Sequence, residues 1–185
     1  RRDGTARPQR RLKPGDAGRD DLTARQANLA GFLACAGMMG YAFYAQMGLG
    51  LEPCPLCMFE RVGVVLLGLA FLGNALLAPV SGWGRGLGIA ALLLAATVPA
   101  GVATRHVYIQ SLPAGSVPSC GATLDYMLEV FPLLTVVRKV LTGGGECARI
   151  DWTFLGLSMP AWVLISVVVL AIFGVVANLR FPRAR

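Results

Sequence analysis

The chain has 185 residues, 55% of them hydrophobic, with a mean hydropathy of +0.61. This length is typical of one domain, and the composition excludes an ordinary soluble protein of this size. The formal net charge of +7 is concentrated at the two ends, without the spaced basic and aromatic pattern of a nucleic-acid-binding surface. The charge therefore indicates membrane topology and not a nucleic-acid partner.

The segment 1–27 is polar and carries eight basic residues, with Pro, Gly and Asp scattered among them. It has no apolar periodicity, so we predict a disordered, solvated tail. The apolar segment that follows is long enough to span a membrane, and a signal peptide is therefore not predicted.

Four apolar stretches come next, over residues 28–48, 57–78, 86–104 and 158–179. Each approaches the roughly 20 residues that cross the hydrocarbon core. We therefore predict an all-α membrane protein, a four-transmembrane-helix bundle over residues 28–180 with a short tail at 181–185. Small residues offer faces for close helix packing in the first two spans: Gly31, Gly37, Gly40, Gly63 and Gly68.

Cys54 and Cys57 form a Cys-x-x-Cys pair where the second span begins. If the helix starts at Cys54 or Pro55, unpaired backbone N–H groups near the sulfurs favour the thiolate form. Arg61 follows Cys57 by four residues and adds a positive charge on the same helix face. A structural disulfide or a metal site is the alternative. We predict a redox-active pair.

A segment at about residues 106–157 separates the third and fourth spans and contains Cys120 and Cys147 in turn-like surroundings. Between the two cysteines, apolar residues recur at helical spacing: Leu124, Met127, Leu128, Phe131, Leu133, Val136, Val137, Val140 and Leu141. This pattern predicts one or two short amphipathic helices on the membrane surface. A loop on a soluble core is the alternative, but the sequence leaves no such core.

The basic residues divide unequally between the two ends of the predicted bundle. Twelve of them lie in the N-terminal tail, the turn between the second and third spans, and the C-terminal tail, against three in the long loop. By the positive-inside rule, both termini are cytoplasmic and the cysteine-bearing loops face outward. In a bacterium these loops would lie in the oxidising periplasm.

Several motifs together resemble the bacterial disulfide bond formation protein B (DsbB) family. The Pro-Cys-Pro-Leu-Cys-x-x-x-Arg run ends at Arg61, and Arg105-His106-Val107 with Gln110 follows the third span. Cys120-Gly121 precedes Leu124-Asp125-Tyr126-Met127, and Gly145-Glu146-Cys147-Ala148 leads into the segment 151–162. The resemblance covers roughly residues 28 to 180. The basic tail and Cys35 lie outside its pattern.

This resemblance implies a quinone-dependent thiol oxidase of the bacterial inner membrane. Its partner would be a periplasmic thioredoxin-fold dithiol oxidase (DsbA-like), which attacks a Cys120–Cys147 disulfide. Electrons would pass to Cys54 and Cys57 and then to ubiquinone or menaquinone from the membrane pool. Arg61 and His106 would lie beside the quinone head group. No resident metal is expected.

Other functions fit the same residues. One alternative is a four-thiolate zinc site formed by Cys54, Cys57, Cys120 and Cys147, although only one Cys-x-x-Cys is present. A scaffold with stabilising disulfides and a paralogue dedicated to one partner are further alternatives. Purely structural roles are also possible for single residues: Arg61 as an interface anchor, His106 as a surface residue at a span end, and Cys35 as a small packing residue.

Overall fold

The structure is a computed structural model that describes residues 23–77, 82–113 and 124–180. Cys120, residues 1–22 of the basic tail and the segment 181–185 lie outside the described residues. The predicted tail extends too far, because a helix already begins at Ala24. Thr23 caps it: its hydroxyl accepts from the Gln26 backbone N–H, and the Gln26 side chain accepts from the Thr23 N–H. This reciprocal capping box satisfies two backbone donors that would otherwise lack partners.

Seven helices and one hairpin make up the described residues. In chain order the elements are α1 (Ala24–Gly48), α2 (Pro55–Leu77), α3 (Gly82–Gln110), α4 (Leu124–Val130), α5 (Leu133–Thr142), α6 (Gly145–Ala148), β1 (Thr153–Phe154), β2 (Leu157–Ser158) and α7 (Met159–Arg180). The four long helices pack as a bundle in which α2 neighbours α1 and α3, and α7 neighbours α3 and α1. The largely helical fold agrees with the predicted class. The two-residue strands were not predicted.

Within the described part of the chain, three helices are long and apolar enough to cross a membrane: α2, α3 and α7. The helix α1 has 25 residues but is not among these three. Its polar residues lower its hydropathy relative to the others: Arg25, Gln26, Asn28, Tyr41, Tyr44 and Gln46. By length and composition, three of the four predicted spans are therefore supported in the described residues.

The bundle core is organised around Phe71, which is fully buried on α2. Its ring leaves no room for a Cβ atom at Gly31 of α1, and it also contacts the position of Gly174 on α7. Gly63 allows an equally close approach to Pro99 inside α3. The predicted packing role is confirmed at Gly31 and Gly63, and also at Gly68. It is wrong for Gly37 and Gly40, where a Cβ would meet nothing within 4 Å.

Two buried asparagines join α1 and α7 at one end of the bundle. Asn28 Nδ2 donates to Asn178 Oδ1 at 3.2 Å, and Asn178 Nδ2 donates to Asn28 Oδ1 at 3.1 Å. Each amide also donates to a backbone carbonyl four residues earlier, Ala24 and Gly174 respectively. Polar groups in an apolar bundle are costly unless paired. The pair therefore fixes the start of α1 against the end of α7, opposite the cysteines.

The cysteine end of the bundle departs from the predicted boundaries. The helix α3 continues to Gln110, so the segment 106–110 predicted as loop is helical. Two short helices, α4 and α5, occupy the predicted amphipathic region. The last span was expected to begin near Ser158, and α7 begins at the next residue, Met159, with Pro160 inside its first turn. The Ser158 hydroxyl donates to Gln110 Oε1 of α3 at 2.6 Å.

Candidate active site

The Cys-x-x-Cys pair lies at the start of α2, as predicted. The helix begins at Pro55, so Cys54 immediately precedes it and Cys57 lies in its first turn. The two sulfurs are 3.3 Å apart, whereas a disulfide bond measures about 2.05 Å. These are therefore two thiols in contact. The Cys57 backbone N–H, one of the free donors of the first turn, donates to Cys54 Sγ at 3.4 Å.

His106 lies on the neighbouring helix α3 and faces this pair. Its Nε2 lies 3.7 Å from Cys54 Sγ, and its Nδ1 lies 2.8 Å from Oε1 of Glu60. The two ring nitrogens therefore face different partners, Nδ1 the carboxyl group and Nε2 the sulfur. The exposed fraction is 2% for His106 and 4% for Glu60. The reading of His106 as a surface residue is therefore wrong.

Cys147, from the second predicted pair, lies against the first pair. It sits on the one-turn helix α6 and is buried beside Leu56. Its sulfur lies within 4.8 Å of the Cys54 sulfur and of a ring nitrogen of His106. A side-chain hydrogen bond with Cys54, together with burial, raises the pKa of Cys147 well above its ordinary value, while backbone hydrogen bonds from Leu56 and Gly144 oppose the shift. The structure therefore places the Cys147 thiol beside the first cysteine pair.

The end of α5 determines where Cys147 lies. Arg105 on α3 donates to the carbonyl oxygens of Leu141 and Thr142, both at 3.0 Å. These are C-terminal carbonyls of α5, where a cation is favourable. Gly143 follows with φ +79° and packs so closely on Ile109 that a Cβ there would clash. Arg105 therefore ties the end of α5, and with it the loop that carries Cys147, to α3.

Arg61 lies one turn beyond Cys57 and contacts α1. Its guanidinium donates to Gln46 Oε1 at 2.6 Å and to the Ala42 carbonyl at 3.1 Å, and it lies 5.6 Å from the centre of the Phe43 ring. These contacts fix the direction of the cation. They also join α1 to α2, so the residue has a structural contribution in addition to any role at a quinone.

The structure brings four of the six predicted site residues together: Cys54, Cys57, His106 and Cys147. Arg61 stands next to this group, and Cys120 lies outside the described residues. Cys35 is buried in the core around Phe71, as a packing residue would be.

Glu60, the partner of His106, is not among the predicted site residues. An acidic residue inside an apolar span, three positions after Cys57, was the available signal. Its partner, His106, lies 46 residues further along the chain.

Comparison with known proteins agrees with this arrangement. Residues 24–177 match the family described as "Disulfide bond formation protein DsbB". A "Disulfide bond formation protein B" of Hahella chejuensis is 47% identical over 171 residues, which cover 88% of this chain and 98% of that protein.

Proteins with the same description in other bacteria are similarly close. The one from Chromohalobacter salexigens is 46% identical over 164 residues, 88% of this chain and 95% of its own length. The one from Xanthomonas euvesicatoria pv. vesicatoria is 45% identical over 156 residues, 84% and 91% of the two chains. The predicted resemblance is confirmed: the chain belongs to the disulfide bond formation protein B family.

Proposed function

We propose that this protein is a quinone-dependent thiol oxidase of the bacterial inner membrane. It would reoxidise a periplasmic thioredoxin-fold dithiol oxidase of the DsbA kind. Family membership supports disulfide-forming oxidoreductase activity. The observation that carries the finer proposal is the approach of the Cys147 sulfur to within 4.8 Å of the Cys54 sulfur, because it brings together cysteines that are distant in sequence.

The proposed electron path begins in the loop. A partner thiolate attacks the Cys120–Cys147 disulfide, and the partner leaves with a disulfide while both loop sulfurs become thiols. The loop thiols then reduce the Cys54–Cys57 disulfide by the same exchange, through a mixed disulfide. The position of Cys147 against Cys54 supports this second exchange, since it needs no large movement of the bundle. Each exchange moves two electrons and conserves the number of disulfides.

A quinone held at this site would supply an acceptor for the two electrons and two protons that Cys54 and Cys57 release when they form their disulfide. The chain's own residues would bind and orient the head group. Arg61 fits this role, since its guanidinium has five N–H donors, of which Gln46 and Ala42 occupy two. A cation fixed at that place stabilises negative charge that develops on an acceptor oxygen.

We propose that the Glu60–His106 pair serves the sulfur side of the same site. Glu60 orients the imidazole so that Nε2 faces Cys54, at a distance where a proton can move between nitrogen and sulfur. A buried carboxylate holding a histidine in this way also stabilises the imidazolium form. His106 would therefore hold the proton that Cys54 releases. A contact with the quinone, as the resemblance implies, remains part of the proposal.

The proposed membrane arrangement has four spans, with α1 as the first, both termini cytoplasmic and the cysteine end periplasmic. The twelve-to-three division of basic residues supports it. So does the contact of Asn28 with Asn178, because it holds the beginning of α1 and the end of α7 at one end of the bundle. Arg61 and Arg105 then lie near the outer interface.

Quinone reduction by the purified protein tests the proposal. The full chain in detergent is mixed with ubiquinone or menaquinone and a reduced thioredoxin-fold oxidase. We expect the parent chain to turn over. Cys120→Ala and Cys147→Ala should no longer oxidise the partner, but both should still reduce quinone when a small dithiol donates electrons to Cys54 and Cys57. Normal partner oxidation by the loop variants would overturn the two-pair relay. Absence of turnover with any quinone would favour a scaffold.

A further inference from the structure

Cys54, His106 and Cys147 also form a cluster of potential metal ligands, and metal binding there would not depend on electron transfer. The ligand atoms of Cys54, His106 and Cys147 all lie within 4.8 Å of one another. Cys54 lies at the start of α2, His106 on the neighbouring helix α3 and Cys147 in the loop, so the cluster exists only in the folded chain. Cys147 and His106 are each 2% exposed. From this convergence we infer that the reduced protein has a binding site for a thiophilic divalent cation, with Zn²⁺ as the natural ligand.

The distances suit tetrahedral zinc. With Zn–S about 2.3 Å and Zn–N about 2.0 Å, tetrahedral geometry separates a sulfur and a nitrogen ligand by about 3.5 Å. The observed separation between Cys54 Sγ and His106 Nε2 is 3.7 Å. Cys57, whose sulfur is 3.3 Å from that of Cys54 and within 4.8 Å of a ring nitrogen of His106, would supply a fourth ligand. The site would therefore offer three sulfurs and one nitrogen.

The surrounding hydrogen bonds are those that a metal site requires. Histidine ligands usually donate their other ring N–H to a carboxylate, which fixes the ring and increases its basicity. Glu60 accepts from Nδ1 of His106 in this way and leaves Nε2 free for a metal. The Cys57 backbone N–H already donates to Cys54 Sγ, as it would to a metal-bound thiolate. Neither contact has to change when the cation binds.

The inferred site differs from the four-thiolate alternative in its composition. It uses His106 and does not use Cys120. Zinc displaces the thiol protons of its cysteine ligands, so binding releases protons and strengthens as the pH rises. Only the reduced protein provides thiolates. If the proposed oxidase function holds, a bound ion would occupy Cys54 and Cys147 together and stop electron transfer between the two pairs.

Cd²⁺ titration of the reduced full-length chain tests this inference. The protein in detergent is kept reduced with a phosphine, and cadmium–thiolate absorption in the ultraviolet reports binding, with Zn²⁺ added as competitor. We expect one ion per chain. Cys147→Ser and His106→Asn should each weaken binding by at least about tenfold. Cys120→Ser should leave the affinity unchanged, and Cys35→Ala is a second control.

Two results would overturn the site. Equal affinity in the parent chain and in both Cys147→Ser and His106→Asn would mean that only the Cys54–Cys57 dithiol binds. An equal loss in Cys120→Ser and Cys147→Ser would indicate the four-thiolate site. Circular dichroism checks the helical content of each variant, and Cys147→Ser decides alone should His106→Asn fail to fold. Because no turnover is involved, a chain that binds Cd²⁺ as expected but reduces no quinone contradicts the oxidase proposal only.

Discussion

Glu60 Oε1 and His106 Nδ1 are 2.8 Å apart in the interior of the bundle, and both side chains are almost fully buried. A carboxylate and an imidazole are expensive to bury, and removing one partner of such a pair leaves the other unsatisfied. The opposite edge of the imidazole faces Cys54. Burying the pair costs stability, and the pair orients the imidazole toward the Cys54 sulfur. Buried titratable groups held in this way are common where proton transfer takes place.

The first prediction concerns Glu60→Gln. The amide keeps the size of the side chain and can still accept from Nδ1, but it loses the negative charge. We expect slower alkylation of Cys54 and a fall in thiol oxidation of roughly tenfold, less than the roughly 10²–10⁴-fold that a positioned acid or base contributes, because the amide can still orient the imidazole. The pH profile of both reactions should change. Glu52→Gln is the matched control, because Glu52 is exposed near the same end of α2. Equal behaviour of the two variants would contradict the role of Glu60.

The second prediction concerns the thiol of Cys147. Its hydrogen bond with Cys54 is the largest cause of its raised pKa. In Cys54→Ala that bond is lost, so the pKa of Cys147 should fall, with burial still acting. Alkylation of Cys147, followed by mass spectrometry across a pH series, should then reach its midpoint at a lower pH. Cys57→Ala keeps the bond and serves as control. An unchanged midpoint in Cys54→Ala would show that the two sulfurs are not in contact.

The third prediction concerns Gly143 at the end of α5. Its backbone has φ +79° and ψ 141°, a region that side chains rarely occupy, and Ile109 fills the space where a Cβ would lie. Gly143→Ala should cost about 1–3 kcal/mol locally and displace Cys147. Partner oxidation should fall, while reduction of quinone by a small dithiol through Cys54 and Cys57 continues.

Gly144→Ala is the control for that experiment. Gly144 has φ −106°, and a Cβ there would meet nothing within 4 Å. Gly143→Ala and Gly144→Ala each add one methyl group at adjacent positions of this loop. A general increase in loop mobility would therefore affect both variants alike. Equal partner oxidation by Gly143→Ala and Gly144→Ala would show that this turn does not position Cys147.

Helix starts and short amphipathic helices could be predicted from the sequence, because they depend on interactions between residues close together in the chain. Pro55 as a first helical residue placed the cysteine pair at a helix start, because its missing N–H has no partner to lose there. Apolar spacing predicted the short helices between the cysteines. The first helix began earlier than expected because Thr23 and Gln26 form a capping box, a signal that is present in the sequence.

Long-range pairings could not be obtained in the same way. His106 at the end of an apolar run looks the same whether it faces water or a buried carboxylate, and its partner Glu60 is 46 residues away. Arg105 is similar: its acceptors, Leu141 and Thr142, are 36 and 37 residues away. In both cases the tertiary packing decides which of several ordinary roles a charged residue takes.

The last prediction concerns Arg61, one turn beyond Cys57. Lys keeps the positive charge but loses the planar fork, so Arg61→Lys should weaken quinone use about tenfold. Arg61→Met removes the charge and should cost roughly a hundredfold, the size of a lost electrostatic stabiliser. Exchange between the loop pair and the partner should continue in both variants. Steady-state quinone reduction, normalised to folded protein, measures the effect as a raised KM, a lowered kcat, or both.

The contact of Arg61 with α1 requires a separate control. Gln46→Ala removes one hydrogen bond of the guanidinium and keeps the cation. If Arg61 only joins α1 to α2, Gln46→Ala and Arg61→Met should both lower the thermal unfolding temperature and leave the kinetics per folded molecule unchanged. A catalytic cation gives a different result, in which only the Arg61 variants lose quinone reduction. If Arg61→Met reduces quinone at the parent rate per folded molecule, the proposed role of Arg61 at the quinone is wrong.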